Sequence, residues 1–434
     1  MQTTTLRTLN MTLWALMLAV TGTYIRIRPN DLPPRLDWLV TAELVVALMM
    51  GTIGLRRILE HREVGIGSVT LIWFGFCALI SASASNYQVS VLGYGVLLCG
   101  VVLFTVGMMQ NARDPSWLRA AERTWLWVVS VMILKDSITS LCSRGDGDSL
   151  FRLGWGVTHP VTLSLMACVA FFLTIGQKFP APHAALTVVR CAYVAVMLMS
   201  RSRITLFCFA AAAIATYCMK VKTGDWKVSI PRIGLWIGLG FVVIATVVGT
   251  YLWSDRTDNS SDLIAYITRG QSAAEVESLT GRTDIWRVGA GRVCDSVKTF
   301  AVGHGYGVSR LVLLEQGAGL DHEASHMHNT FLEFTLDMGL LGGVVYAALC
   351  IVAVQWLLRW RMLCLIYGRD VVIRAINVVV IILISSLTES DLASKVGPLT
   401  LITFVYIAAL DRARATYPIG EHQCKWSYSK SHPV

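Results

Sequence analysis

Charged residues are scarce in this chain. Only 15% of its 434 residues are Asp, Glu, Lys or Arg, against about 25% in an ordinary soluble domain. Hydrophobic residues make up 54% of the chain, and the mean hydropathy is +0.58. A soluble globular protein could not hide so much apolar surface, so that class is excluded. The net charge of +9 comes without a basic stripe or interleaved aromatic residues, which argues against nucleic-acid binding.

Zinc-binding and processing motifs are also missing. No CxxC or Cys/His spacing typical of zinc occurs, and most cysteines lie in apolar runs as small hydrophobic residues. Cys142 and Cys294 are expected to face an oxidising compartment, where a bridge between them is one alternative. The apolar run 11–25 follows only Arg7 and lacks an A-x-A cleavage site. We expect it to be a retained first span and not a removed signal peptide.

Long apolar runs dominate what is present. A membrane-spanning helix needs about 20 mainly apolar residues, and the runs predict an all-α polytopic membrane protein with about twelve such helices. With an even number of spans, both termini lie on the same side. The short segments on that side hold 20 Lys and Arg residues, against 8 in the short segments opposite. The positive-inside rule therefore predicts cytoplasmic termini. The predicted spans lie near residues 9–25, 37–55, 66–82, 89–109, 124–141, 157–175, 185–199, 204–219, 233–253, 336–358, 372–388 and 396–411.

One long segment interrupts the spans. Residues 254–327 separate the ninth span from the tenth and are predicted to lie outside the cytoplasm. Their Asp, Arg, Gly, His and Trp content suits a folded module better than a linker, and long ordered loops often carry function. The predicted organisation is nine spans in 1–253, a periplasmic loop module in 254–327, three spans in 328–411 and a cytoplasmic tail in 412–434.

The strongest local feature is the segment 326–342, which closes the long loop and opens the tenth span. A histidine at this level can titrate near neutral pH, as a general base must. If the helix begins near His328, then Asn329, Glu333 and Asp337 lie on one helical face. The alternative is an interfacial helix that turns this polar face to water.

Arginines on the outer side form the second feature. Ser200–Arg203 lies between two spans, where arginine is costly unless it is paired or functional. The proximity of Arg201 and Arg203 favours a phosphate clamp, because guanidinium matches phosphate oxygens bidentately, although a snorkelling anchor is the alternative. In the long loop, Arg282 and Arg287 are either ligand-binding residues or partners in surface salt bridges.

Weaker patterns complete the set. Gly303–Gly307 has enough glycine for the backbone to approach a ligand closely, or it forms a simple turn. Asp146–Asp148 has the D-x-D form of many metal-dependent glycosyltransferases, but this tripeptide is common in turns and two carboxylates rarely complete a metal site. Glu43, Lys135 and Asp136 lie within predicted spans, where charge is functional by default, although adjacent residues do not share a helix face.

Together these residues resemble the O-antigen ligase family, part of a larger ligase/polymerase superfamily of bacterial surface polysaccharides. The family pattern is His, then Asn, Ser or Gln, nine residues, Gly, two residues, and Gly, Thr or Tyr. The chain matches it at His328–Asn329, Gly339 and Gly342. Three upstream patterns are similar to those of the superfamily: Ser202–Arg203, Gly281–Arg282 with Trp286, and Arg152-x-Gly154 with Pro160.

The resemblance implies a fold akin to the membrane-embedded (GT-C-like) glycosyltransferases. It also implies transfer of a polysaccharide from an undecaprenyl diphosphate carrier to lipid A–core oligosaccharide in the periplasm, with inversion and without metal or cofactor. In this hypothesis His328 deprotonates the acceptor hydroxyl, while Arg203 and Arg282 hold the diphosphate. The family usually has one key arginine where Arg201 and Arg203 stand, and Arg203 is favoured. The supporting residues are Arg201, Arg287, Asn329, Arg152 and His326.

Three other functions remain open at this point. An O-antigen polymerase of the same superfamily would join repeat units, and a protein O-oligosaccharyltransferase would use a Ser or Thr acceptor. The modest length of the 254–327 loop favours the ligase. A transporter or flippase for lipid-linked sugars would place its functional charges in mid-membrane and not at the outer edge. The expected location is the bacterial inner membrane, in contact with membrane lipids and with the active site facing the periplasm.

Overall fold

In the computed structural model the regular secondary structure of the described residues is entirely helical, and those ranges contain no strand. Several predicted features lie outside them: the ninth span at 233–253, most of the loop module, the D-x-D tripeptide, Arg152, Gly281 and the end of the tail. The described residues are 2–27, 38–61, 64–110, 116–142, 153, 159–177, 183–222, 282–315, 326–390 and 396–416.

The helices follow the apolar runs. In the first part of the chain they are α1 (Gln2–Ile27), α2 (Trp38–His61), α3 (Ile66–Ser81), α4 (Gln88–Gln110), α5 (Ser116–Cys142), α6 (Pro160–Leu173), α7 (His183–Met199) and α8 (Arg203–Lys222). The second part contains α9 (Arg282–Val293), α10 (Val297–Val302), α11 (Ser309–Leu314), α12 (Thr330–Leu358), α13 (Trp360–Tyr367), α14 (Arg369–Ser385) and α15 (Pro398–Thr416).

Each predicted span that falls within the described ranges coincides with one of these helices. Among the described helices, four are long and apolar enough to cross a membrane: α4, α5, α8 and α12. Shorter apolar helical segments occur in α1, α3, α6, α7 and α15. The prediction of an all-helical chain with several membrane spans is therefore confirmed, while the number of spans and their orientation stay predictions.

Small residues let α2 and α4 pack at close range. A Cβ atom on Gly100 would lie 2.2 Å from the carbonyl oxygen of Ala47, and one on Gly54 would lie 2.2 Å from that of Leu103. Lipid is as apolar as the surfaces of the helices, so no hydrophobic effect drives two helices together within the membrane. Close backbone contact of this kind is therefore a main source of helix association. The glycines of these apolar runs therefore hold this helix pair together.

A buried ion pair links α5 to α14. Arg374 donates to Oε2 of Glu122 over 2.7 Å, and the hydroxyl of Tyr406 donates to Oε1 over 2.6 Å. All three side chains are buried. An unpaired charge inside the helix bundle would be costly. Arg374 and Glu122 can be buried because each neutralises the charge of the other.

A break in α12 shapes the region that carries the site. Gly339 has φ +64°, so α12 is two helical segments joined at this residue. A Cβ atom on Gly339 would lie 2.4 Å from the carbonyl carbon of Ala301, and one on Gly303 would lie 2.3 Å from the carbonyl oxygen of Asp337. The first glycine of the family pattern is thus the point where α10 meets α12, backbone against backbone.

The glycine-rich segment 303–307 docks onto the helices around it. The amide of His304 donates to the carbonyl of Leu336, and that of Gly305 to the carbonyl of Asp337, over 3.0 and 2.8 Å. A Cβ atom on Gly305 would collide with Val91 of α4. These glycines therefore allow close approach to the protein's own helices, which agrees with the turn interpretation of this segment.

Candidate active site

Glu389 lies at the centre of a cluster that three segments of the chain build. Its Oε1 accepts a hydrogen bond from Nη2 of Arg282 over 2.9 Å, and its Oε2 lies 3.3 Å from Nδ1 of His328. The carboxylate side chain is only 4% exposed, whereas those of Arg282 and His328 are each 22% exposed. The buried carboxylate thus holds two partly exposed side chains that can reach a ligand.

The charge of Glu389 is stabilised by its neighbours. Burial on its own raises the pKa of this carboxyl, but the hydrogen bond with His328 and the charge of Arg282 outweigh burial and lower the pKa to about 2. Glu389 is therefore ionised at neutral pH, and an ionised carboxylate can only accept hydrogen bonds.

His328 is the first of three histidines whose rings are in contact one after another. The ring of His326 lies 4.0 Å from that of His328, centroid to centroid, and 6.1 Å from that of His159 at the start of α6. Burial, reinforced by the nearby His328, holds the pKa of His326 well below its usual value. His326 is therefore neutral at pH 7. Its ring can form hydrogen bonds but contributes no positive charge to the site.

The backbone fixes His328 against Glu389. His328 has φ +51°, a left-handed conformation that is strained for a residue with a side chain. The next residue, Asn329, caps α12 by accepting from the amide of Leu332 over 3.0 Å, and its Nδ2 donates to the carbonyl of Leu387 over 3.0 Å. Thr330 donates to the carbonyl of Glu389 over 2.7 Å. The two catalytic candidates are thus tied together through main-chain contacts.

The acidic face of α12 points inward. Glu333 accepts from the amide of Met327 over 2.5 Å and from the hydroxyl of Ser309. Asp337 accepts from the amides of Gly307 and Ser309 over 2.9 and 3.0 Å. Both carboxyl groups are fully buried, so the alternative of a polar face turned to water is wrong. These residues hold Met327 and the segment 307–309 against the start of α12.

Helix α9 holds the histidine segment from the other side. Its Trp286 donates from Nε1 to the carbonyl of Met327 over 2.7 Å, and Gly289 leaves room for the Met327 side chain. Arg282 and Trp286 are one helical turn apart and share a face. The Gly-Arg-x-x-x-Trp pattern therefore supplies one residue that binds Glu389 and one that positions the backbone before His328.

Arg203 brings a second positive charge to the cluster. It is the first residue of α8, after the buried Ser202, whose hydroxyl accepts from the amide of Thr205 over 3.4 Å. The charges of Arg203 and Arg282 lie close enough to repel each other. The N-terminal end of a helix also carries partial positive charge, so an anion is the ligand that fits here. Arg201 is partly exposed and has φ +49°.

Several other residues that the sequence analysis singled out are not part of the cluster around Glu389. Arg287 forms an ion pair with Asp284 over 3.4 Å, with side chains 81% and 58% exposed, which fits the surface-pair alternative. Cys142 and Cys294 are both free thiols. Arg152 lies outside the described residues, and its supporting role stays a prediction.

Two residues of the cluster were not identified from the sequence. Glu389 follows the predicted span 372–388 on the outer side, and an acidic residue at a span's end is the signal that could have drawn attention to it. His159 directly precedes Pro160 of the Arg-x-Gly…Pro pattern. The partners of both residues lie far away in the sequence. The residues next to Glu389 and His159 in the chain therefore give no indication of these contacts.

Within the described part of the chain, one group of side chains could hold a metal ion. The ligand atoms of His326, His328 and Glu389 lie within 4.8 Å of one another, and two histidines with a carboxylate are a zinc-type donor set. Arg282 already binds one oxygen of Glu389, and the guanidinium of Arg203 lies within electrostatic range of Arg282. These positive charges oppose a further cation, so the arrangement favours an anionic ligand.

One family model matches a segment of the chain that includes much of this cluster. Residues 186–347 match the family model described as O-antigen ligase (Wzy_C). The match includes Arg203, Arg282, Trp286 and His328, whereas Glu389 lies beyond it. No curated protein sequence matches the chain. The resemblance seen in the sequence is thereby confirmed at the level of the family model: residues 186–347 match the O-antigen ligase model, within a chain that has several helices long and apolar enough to cross a membrane.

Proposed function

We propose that the chain is an O-antigen ligase of the bacterial inner membrane. It transfers a polysaccharide from undecaprenyl diphosphate to a hydroxyl of lipid A–core oligosaccharide in the periplasm, without metal or cofactor. The observation that carries the proposal is the cluster of Arg282, Glu389 and His328, in which a buried carboxylate joins a guanidinium to a histidine. The family match supports the reaction class.

His328 is the general base. Because Glu389 is ionised and can only accept, Nδ1 of His328 carries the proton and donates it to Oε2. The other ring nitrogen, Nε2, then has a lone pair that can take a proton from the acceptor hydroxyl. A carboxylate that orients a histidine in this way fixes both its tautomer and its direction.

The transfer is a single displacement. The acceptor oxygen forms a bond to the anomeric carbon of the donor sugar while the bond from that carbon to the diphosphate oxygen breaks. The acceptor's proton passes to Nε2 of His328, and the bonding electrons leave with the diphosphate. Attack from the face opposite the leaving group inverts the anomeric configuration.

The arginines stabilise the leaving group. Negative charge develops on the diphosphate as the bond breaks, and Arg203 and Arg282 supply fixed positive charge where it appears. Arg282 uses part of its donor set on Glu389 and keeps further N–H groups for phosphate. Arg201 supports this site, and His326, which is neutral, provides a hydrogen-bonding group beside the base.

The location of the cluster suits a lipid-borne donor. The candidate residues lie at the ends of α8, α12 and α14, and both α8 and α12 are apolar enough to cross a membrane. A diphosphate linked to a polyprenyl chain would stand at this level, with its lipid among the apolar helices. No nucleotide sugar is available outside the inner membrane, so an outward-facing transferase needs such a donor.

The test uses purified protein in detergent with EDTA, an undecaprenyl diphosphate-linked glycan and lipid A–core, with the product followed as a mass increase on a gel. The wild type should form the product and the His328→Ala variant should not. His304→Ala is the matched control and should retain activity, because the ring of His304 hydrogen-bonds to the backbone carbonyl of Arg292, over 2.9 Å, and not to Glu389. Transfer by His328→Ala at the wild-type rate would refute the assignment.

The same assay separates the ligase from its nearest relatives. Elongation of the donor glycan without use of lipid A–core would identify a polymerase. Transfer to a Ser or Thr peptide would identify a protein O-oligosaccharyltransferase. A flippase would give no covalent product with any of these acceptors.

A further inference from the structure

A second positively charged site lies away from the candidate active site. It is a cavity of about 260 Å³ that four arginines help to line: Arg119 and Arg123 of α5, and Arg369 and Arg374 of α14. We call it the arginine pocket. None of these residues takes part in the cluster around Glu389, and none was assigned a role in the sequence patterns.

The arginine pocket and the candidate active site lie at opposite ends of the same helices. The pocket is lined by the first residues of α14 and by the turn that follows α6, whereas Glu389 follows the end of α14 and His159 precedes α6. Helix α14 has 17 residues, which corresponds to about 25 Å of helix. The pocket therefore opens on the other face of the bundle, which the charge bias predicts to be cytoplasmic.

The charge balance of the arginine pocket fits an anion. Asp370 is the carboxylate among its lining residues, and it is packed against Gly176, where a Cβ atom would lie 2.4 Å from its Cγ. Arg374 is neutralised by the buried Glu122 over 2.7 Å. Among the described residues, the four arginines therefore outnumber the two carboxylates, Asp370 and Glu122. Arginine is also the side chain best matched to phosphate oxygens.

The surroundings of the pocket point to a membrane lipid as the source of that phosphate. Helix α13 leads directly into the pocket residues and exposes Leu365, which is 71% exposed, while Arg361 stacks on Trp360. An exposed leucine beside tryptophan and arginine is typical of a helix that lies in the membrane interface. Basic pockets between membrane helices on the cytoplasmic side are suited to anionic headgroups.

We propose that the arginine pocket binds the phosphate headgroup of an anionic phospholipid on the membrane face opposite the candidate active site. The lipid's phosphate lies among the guanidinium groups, and its acyl chains lie along the apolar surface of the bundle. This site is independent of the transferase reaction, and its binding can be measured without any glycan substrate.

The experiment uses full-length protein in detergent and measures the rise in melting temperature on adding lipid. Phosphatidylglycerol, zwitterionic phosphatidylcholine and inorganic phosphate are titrated separately. The variant is Arg119→Gln/Arg123→Gln, which leaves the buried Arg374 pair intact. The control is Arg56→Gln/Lys220→Gln, which removes the same charge from the same predicted face but outside the pocket. Gel filtration checks that each variant is folded.

We expect phosphatidylglycerol to stabilise the wild type and the control equally, and phosphatidylcholine to stabilise neither. The apparent affinity of Arg119→Gln/Arg123→Gln for phosphatidylglycerol should be about 30-fold weaker, given the usual contribution of each basic residue near an anionic membrane. Equal stabilisation of all three proteins would overturn the proposal. Stabilisation by inorganic phosphate as strong as that by phosphatidylglycerol would overturn the lipid assignment, since the ligand would then be a soluble phosphate.

Discussion

The carboxylate of Glu389 lies 2.9 Å from the guanidinium of Arg282, although 107 residues separate them in the chain. The same carboxylate contacts His328, which is 61 residues away. This relationship places His328 and Arg282 on the two oxygens of one buried carboxylate, and in the proposed function it orients His328 as the base. The first predictions test whether Glu389 has that role.

Replacement of Glu389 by Gln should lower the transfer rate by about 10²–10⁴, the usual contribution of an effective acid–base residue. Glutamine keeps the size of the side chain but no longer dictates the tautomer of His328. The measurement is the initial rate with purified protein, and Glu315→Gln is the control, because Glu315 lies outside the cluster and bonds to Tyr87. An unchanged rate in Glu389→Gln would remove the orienting role.

The stability that Glu389 contributes should depend on pH. Its pKa is lowered on folding, from 4.5 to about 2, so the unfolded chain takes up the proton first as the pH falls. The stabilisation is therefore complete above pH 4.5 and is lost as the pH falls toward 2. The melting temperatures of the wild type and Glu389→Gln should converge over this acidic range and remain apart at pH 7. A difference that does not vary with pH would contradict the lowered pKa.

Two arginines of α9 offer a matched pair. Arg282→Gln removes a partly buried charge from the cluster and leaves Glu389 with one partner fewer, so both transfer and donor binding should fall strongly. Arg287→Gln removes the same charge from an exposed surface pair, and stability should change by less than about 0.5 kcal/mol. Initial rates and donor affinity are compared side by side. Equal losses in both variants would contradict the placement of Arg282 in the site.

Trp286→Phe should slow transfer without abolishing it. The indole hydrogen bond to the carbonyl of Met327, over 2.7 Å, positions the backbone just before His328. Its loss costs about 1 kcal/mol and leaves the reacting groups in place. Trp73→Phe, at a 55% exposed site in α3, is the control and should be neutral. Wild-type activity in Trp286→Phe would show that this contact does not matter for the reaction.

Gly339→Ala should destabilise the protein strongly. Its φ of +64° is strained for alanine by about 1–3 kcal/mol, and the added Cβ would lie 2.4 Å from the carbonyl carbon of Ala301. Gly93→Ala is the control, because a Cβ atom there meets nothing within 4 Å. The two melting temperatures are measured in detergent. A Gly339→Ala protein as stable as Gly93→Ala would mean that α12 is not broken here.

Local patterns predicted much of the fold and part of the site. The hydropathy of each run identified the helices, and short motifs singled out His328, Arg203 and Arg282 as candidates. The same motifs did not reveal why Gly339 is needed, since the reason is contact with Ala301 of another helix. They also left open whether Glu333 and Asp337 face water, which their burial against the 303–309 segment decides.

The amino-acid sequence by itself determined that this is a helical membrane protein with an O-antigen ligase pattern. Each helix in lipid satisfies its own backbone hydrogen bonds within one continuous apolar run, so membrane helices are a local property of the chain. Only the tertiary structure decided that Glu389 joins Arg282 to His328, and that four arginines of α5 and α14 share one pocket. Charge–charge contacts depend on distance in space, and residues far apart in the chain meet only after the helices have packed.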